Sequence, residues 1–316
     1  MSALSNGGLT WLTQPWVVTI LCVLSALFLE RVLPLRKVSH PVGIFFIISH
    51  QLSLSIAKVH KKPALWMGLF CWLILVLPIV AILAFLLQLA EFRILLEGIL
   101  LWLCIGQFGI ANITKRVYGY LLRDKKQLAR DTLAPYVLRE TKTLSPQGIA
   151  KTHAEMLILR HFQQAIVTIF WFVILGIEAA LVYRLTLELQ QAFNPKKPEF
   201  KEAGILLLWL SRVFQWPVAV LYTFCIWLFH PQKVWQALAL MPYKNPSNLV
   251  LASIGKSIGC QFCGPAIYSG KKVRTAKCGA VFPLKLDHLL LIRPQQNLYL
   301  FTFVMVCIAL SFVVHI

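Results

Sequence analysis

Acidic side chains are scarce in this chain. Twelve Asp and Glu stand against 31 Lys and Arg, a formal net charge of +19 over 316 residues. Chemistry that coordinates Mg²⁺ through several carboxylates therefore has little to draw on; the basic loops offer mainly Asp124, Asp131, Glu140, Glu155 and Asp287. A P-loop is missing too. Gly255-Lys256-Ser257 has the tail of one, but Val250 stands where its first glycine belongs. Residues 1–15 carry no positive charge, so no n-region of a cleavable signal precedes the first apolar run, which reads as a retained span. There is no 20–50-residue repeat and no low-complexity tract, and nothing reads as strand. A disulfide framework is absent as well. Cys22, Cys71, Cys104, Cys225 and Cys307 sit inside apolar runs, where cysteine behaves as a small hydrophobe. Cys260, Cys263 and Cys278 make a C-x2-C with a later partner, and zinc would need a fourth ligand, for which His288 is the nearest later residue. The spacing is loose, so the three read as reduced thiols and no metal site is assigned.

Apolar length is what the chain has in abundance: 58% of residues are hydrophobic, with 10 Trp and 20 Phe. Six runs approach the ~20 residues that a bilayer core demands: roughly 15–33, 64–89, 94–113, 165–183, 205–229 and 298–316. Polar residues interrupt the third and fifth, at Glu97, Gln107, Arg212 and Gln215. The expected fold is therefore an all-α polytopic membrane protein, a single domain over residues 1–316, with about six (four to six) transmembrane helices. Its basic residues lie in the loops between runs and not in one soluble domain. That pattern faces anionic lipid and argues against nucleic acid as a partner. Loops 34–63, 114–164 and 230–297 hold most of the Lys and Arg, which places them in the cytoplasm and both termini and loop 184–204 outside. Within 114–164 apolar residues recur at helical spacing, so amphipathic helices are expected there. Pro135 ends one and Ser145-Pro146 opens the next.

The stretch Arg139–Arg184 joins a polar helix directly to an apolar run, and it carries a resemblance. Arg139-Glu140-Thr141, Leu144-Ser145, Ile149-Ala150 and Glu155 resemble the "RDT…LS…IA…E" segment of the CobD/CbiB family, the membrane-bound adenosylcobinamide-phosphate synthases of cobalamin assembly. Phe170-Trp171, Gly176 and Val182-Tyr183-Arg184 continue it without a gap. Leu128-Ala129-Arg130, His40-Pro41-Val42 and Gly264-Pro265-Ala266-Ile267-Tyr268 with Gly270 match further motifs in family order.

The departures bear on function. Where the family places glutamate, asparagine and aspartate after its first glutamate, this chain has Leu159, Arg160 and Gln163. The Asn-Thr-Leu-Asp group becomes Leu187, Glu188, Leu189 and Gln190, Pro-Ala-Arg becomes Pro217-Val218-Ala219, and Pro246 and Leu251 replace a further Asn and Glu. Loss of polar positions on a kept scaffold resembles the AmpE-like branch, membrane regulators of β-lactamase induction and cell-wall stress signalling. Leu29-Glu30-Arg31 and Trp216-Pro217 look like that branch too. The expected function is accordingly a non-enzymatic modulator of this kind, with the lipid bilayer and a membrane or cell-wall signalling protein as partners. The alternative is the synthase itself, joining a corrinoid carboxylate to aminopropanol phosphate, and only that reading implies ATP and Mg²⁺ as cofactors and a corrinoid as ligand.

No catalytic residue is assigned. His40, Arg130, Arg139, Glu140, Thr141 and Glu155 form the candidate residual pocket for an anion or corrinoid phosphate, since arginines suit phosphate. Ordinary ion pairs on a solvated helix face are the other reading of the same residues. Glu178 and Arg212 are ionisable residues inside expected spans, each ~10 Å deep, and are expected to pair across adjacent helices.

Overall fold

A computed structural model describes residues 14–33, 35, 40–59, 64–107, 110–232, 245–268 and 270–314. The N-terminal segment and the basic positions Arg36, Lys37, Lys61, Lys62, Lys233 and Lys244 lie outside the described residues. The described chain is 78% helical, an all-α membrane protein. Its helices are α1 (Pro15–Val32), α2 (Pro41–Val59), α3 (Leu65–Leu89), α4 (Arg93–Ile105), α5 (Ile110–Leu122), α6 (Lys126–Leu133), α7 (Pro146–Arg160), α8 (Val167–Leu175), α9 (Ile177–Ala192), α10 (Ala203–Phe229), α11 (Pro246–Ile258) and α12 (His288–Val314).

The centre is one continuous helical post from Pro146 to Leu175. Ser145 caps it by accepting from Gly148 N, with Pro146 in the first turn, as the sequence predicts. The expected amphipathicity is absent, because α7 is surrounded. Nine of its residues, from Ile149 to Ile158, are buried, against α5, α6, α11 and α12. A π turn, His161–Ile166, joins α7 to α8. Such a turn frees carbonyls from the i→i+4 ladder, and one of them, Gln163 O, accepts from Tyr183 Oη at 2.8 Å.

At Gly176 the post ends. Its φ of 85° lies in the left-handed region that glycine alone enters freely. α9 then packs back along α8 and becomes the hub against which α2, α3, α4 and α10 lean. Two close approaches fix these helices. A Cβ on Gly68 would overlap Ala203 O, and one on Gly204 would overlap Phe193 O.

Among the described residues, four helical stretches are long and apolar enough to cross a membrane: Pro41–Val59, Leu65–Leu89, Pro146–Leu175 and Ala203–Phe229. This map corrects the expected one in four places. Residues 34–63, expected as a loop, contain α2, whose Ser, His and Gln positions mask a helix of spanning length. The expected span 94–113 is broken at Gly106, leaving α4 with 13 residues or about 20 Å, short of a bilayer core. The expected span 165–183 is a hairpin folded at Gly176. Residues 184–192 of the expected loop 184–204 belong to α9, and Lys196 beyond them lies over the Tyr268 ring, 4.9 Å from its centroid.

Strand is present where none was expected. β1 (Gln261–Phe262) pairs with β4 (Cys278–Gly279), and β2 (Pro265–Tyr268) pairs with β3 (Lys271–Arg274), both antiparallel. These strands are two to four residues long, too short for alternation to register. Only the turn glycines, Gly264 and Gly270, announce them in the sequence.

Candidate functional site

Between the post, α10, α11 and the β2–β3 hairpin lies a cavity of about 420 Å³, a size suited to a small-molecule ligand. Its charged lining is Arg139, Arg160, Lys196 and Arg212 against the single carboxylate of Glu155. Amides of Gln163, Gln190, Gln215 and Asn248 fill much of the remaining wall. The cavity favours an anion.

Arg139 reaches this wall from the extended segment between α6 and α7. Its Nη2 meets Glu155 Oε2 at 2.7 Å and its Nη1 donates to Thr152 Oγ1 at 3.0 Å. Thr152 and Glu155 are three apart on α7 and share a face. Glu155 Oε1 accepts from Cys263 N at 2.6 Å. Both carboxylate oxygens are thus engaged, and three separate chain segments converge on one side chain.

Three of the other predicted residues hold this arrangement without lining the cavity. Glu140 N donates to Ile267 O at 2.9 Å, and Glu140 Oε1 accepts from Gly270 N at 2.6 Å, so the residue pins the β2–β3 hairpin. Arg130 donates twice to Leu144 O, at 3.1 and 2.7 Å, closing the loop that presents Arg139. Thr141 is buried beside Arg139 and Glu140, at a second recess that all three line.

His40 belongs elsewhere. It is 1% exposed and lies against Gly106, where an added Cβ would be 2.9 Å from His40 Nε2. Burial, reinforced by the nearby Arg184 guanidinium, holds its imidazole down from 6.5 to about 4. It sits in a second polar region inside the helices. There Arg184 Nη1 meets Glu188 Oε1 at 2.8 Å, with both side chains essentially unexposed. Nearby, Glu30 Oε1 accepts from Gln107 N at 2.7 Å, and Arg293 Nη1 donates to Gln107 Oε1 at 3.4 Å.

The expected Glu178–Arg212 pair is not formed. Glu178 lies 3.9 Å from Arg93 Nη2, whereas Arg212 lines the cavity. A depth of ~10 Å for each residue requires one straight span over 165–183. The break at Gly176 moves Glu178 into the first turn of α9, beside the start of α4. Arg212 Nε is buried and has no hydrogen-bond partner among the described residues.

The three C-x2-C thiols also separate. Cys260 is fully buried, whereas Cys263 lines the cavity and receives the Cys278 thiol, Sγ to Sγ 3.1 Å. His288 Nδ1 accepts instead from Lys285 N at 3.3 Å. No group of three His, Cys, Asp or Glu among the described residues is placed to hold a metal ion.

Sequence reasoning missed Arg160, Gln163, Gln190, Lys196 and Asn248 as cavity residues. A signal for several of them was present. Leu159, Arg160, Gln163, Gln190 and Leu251 are positions where this chain departs from the family motifs, and all five line the cavity. These five altered positions meet at the cavity, whereas Leu187, Glu188, Leu189, Ala219 and Pro246 do not line it.

Residues 23–289 match the family described as CobD/Cbib protein, and the chain belongs to that family. It is similar to three proteins each named cobalamin biosynthesis protein CobD. It is 25% identical over 256 residues to that of Stutzerimonas stutzeri, covering 79% of this chain and 84% of the relative. The relatives from Chromobacterium violaceum and Sinorhizobium sp are each 25% identical, over 183 and 190 residues, covering 57% of this chain and 59% of theirs. No solved structure matches the chain.

Proposed function

We propose that this protein works in cobalamin biosynthesis from a bacterial inner membrane, its cavity receiving the carboxylate arm of a corrinoid and the aminopropanol phosphate that a synthase of this family joins. The observation that carries the reading is the charge of the wall: four cations against one carboxylate, in a chain whose named relatives are cobalamin biosynthesis proteins. A carboxylate and a phosphate ester repel one another, and two such reactants approach only where fixed cations offset that repulsion. Arg212, with Nε unpaired among the described residues, and Lys196 are the groups least committed to the protein. Glu155 is held between Arg139 and Cys263 N, so it orients Arg139 and is poorly placed to take a proton. The cavity faces the cytoplasm on this reading, since its walls come largely from the strongly basic segments.

ATP can find cations here for its phosphates, but its Mg²⁺ does not fit this wall. The one carboxylate has both oxygens engaged, and no step is assigned to the metal. That same observation favours a second reading, a regulator of the AmpE-like kind that keeps the cavity for a ligand or signalling partner without turnover. Complementation separates them. The protein is expressed in a bacterium lacking its own adenosylcobinamide-phosphate synthase and growth on cobyric acid is scored, with membrane insertion checked by immunoblot. Growth that disappears with Arg212→Ala supports the synthase. Absence of growth from inserted protein overturns it in favour of the regulator.

A further inference from the structure

The geometry points to Cys263 and Cys278 as a peroxide-reactive dithiol on the cavity wall, with Cys263 the attacking sulfur and Cys278 the resolving one. All eight cysteines are described and free, and Cys263 alone is not buried. It follows β1 at the point where Phe262 pairs with Cys278, which brings the two sulfurs to 3.1 Å. A disulfide needs about 2.05 Å between sulfurs, so closure asks for a small side-chain movement and no refolding.

The surroundings favour a thiolate at Cys263. The Cys278 S–H donates to it, and the Lys151 ammonium and Arg139 guanidinium lie close by. Together these outweigh burial and the neighbouring Glu155 carboxylate, and the Cys263 thiol is drawn below its ordinary value. Cys278, as donor and buried partner, is pushed up. Cys260, only three residues away, is raised to about 12 by burial alone, which leaves it inert. The backbone adds an independent mark: Cys263 has φ 61°, one of two non-glycine residues with positive φ among those described. Glycine would sit there more easily, so the side chain is tolerated against a local preference.

The chemistry balances with a hydroperoxide as oxidant. Cys263 Sγ attacks the terminal peroxide oxygen, the O–O bond breaks, and the departing alkoxide takes a proton from water. Cys263 is left as a sulfenic acid. Cys278 Sγ then attacks Cys263 Sγ, and the S–O bond breaks. The hydroxide leaves with the Cys278 proton as water. Two thiols are oxidised to one disulfide and one peroxide is reduced to alcohol and water. The closed bridge would span residues 263 to 278, fixing the β2–β3 hairpin beneath Arg139 and removing the thiolate from the wall.

The test uses the full chain in detergent, treated with hydrogen peroxide up to one equivalent, denatured, and mapped by mass spectrometry. The expected product is a peptide pair joining Cys263 to Cys278, reversed by dithiothreitol, with Cys260 still free. Cys263→Gly suits the local φ and should fold; it should abolish the cross-link and leave Cys278 reduced. Cys278→Ser should accumulate a sulfenic acid at Cys263 that dimedone traps. A Cys263→Gly protein that consumes peroxide at the wild-type rate, or wild-type protein oxidised elsewhere first, would overturn the proposal.

Discussion

Two arginine–glutamate pairs of similar length hold this molecule, and their settings differ. Arg184–Glu188 is a one-turn pair on α9 at 2.8 Å, with side chains 0% and 1% exposed. Arg139–Glu155 spans a loop and a helix at 2.7 Å, 17% and 8% exposed, on a cavity wall. Identical chemistry serves separate ends. The first pair lets a charged helix sit inside an apolar bundle, where an uncompensated ion is costly. The second gathers α7, the Arg139 loop and the β segments at one carboxylate, with a face open to a ligand.

The sharpest way to break the comparison is to remove one partner from each pair. Glu188→Leu should take the carboxylate away from the buried arginine and destabilise the protein by about 3–5 kcal/mol, read as a fall in melting temperature in detergent. Adding Arg184→Met should recover much of that loss, and a double variant no more stable than the single would show that Arg184 is held mainly by other groups. Glu155→Ala leaves Arg139 without its carboxylate and Cys263 N–H without its acceptor. A smaller effect is expected, of order 1–3 kcal/mol, with loss of anion binding on titration exceeding the loss of stability.

Acid should also separate the regions. His40 beside Arg184 is folded with its pKa held down from 6.5 to about 4, so the unfolded chain takes up the proton first. Its contribution is present in full above pH 6.5 and is lost as pH falls toward 4. Melting temperature measured from pH 8 to 5 should decline, and His40→Gln should flatten part of that slope; an unchanged slope would place the acid sensitivity elsewhere. The smallest effect is at the post's foot. Ser145→Ala removes the bond to Gly148 N, and about 1 kcal/mol of stability should go with it, with the buried pair untouched.

Legibility in the sequence followed the range of the interaction. Ser145-Pro146 announced the start of α7 because a cap is a local event, and the motif order from His40 to Gly270 announced the family. Direction was harder to read. An apolar run shows that a segment avoids water but does not show that Gly176 folds it in two, and the error carried Glu178 to the wrong neighbour. At the cavity, Arg139 and Glu155 were found because they fall in the matching motif. Arg130, Glu140 and Thr141 fall in it as well, yet they serve the loop that presents Arg139. Arg160 was legible only as a departure from the family motif, whereas Lys196 comes from a segment that only tertiary packing brings to the cavity, and nothing local marks it.

The Gly176 turn also bears on how the protein enters its membrane. α9 has 16 residues and carries Arg184, Glu188 and Gln190, a poor substrate for insertion by itself. α8 is short and apolar apart from Thr168, and the turn delivers the two together. Insertion should therefore proceed with α8–α9 as one unit, the polar side of α9 staying shielded until α10 arrives to close it. Substituting Gly176 by valine would separate the two helices in time as well as in space. The expected result is a nascent chain recognised by membrane quality-control proteases before any ligand is met.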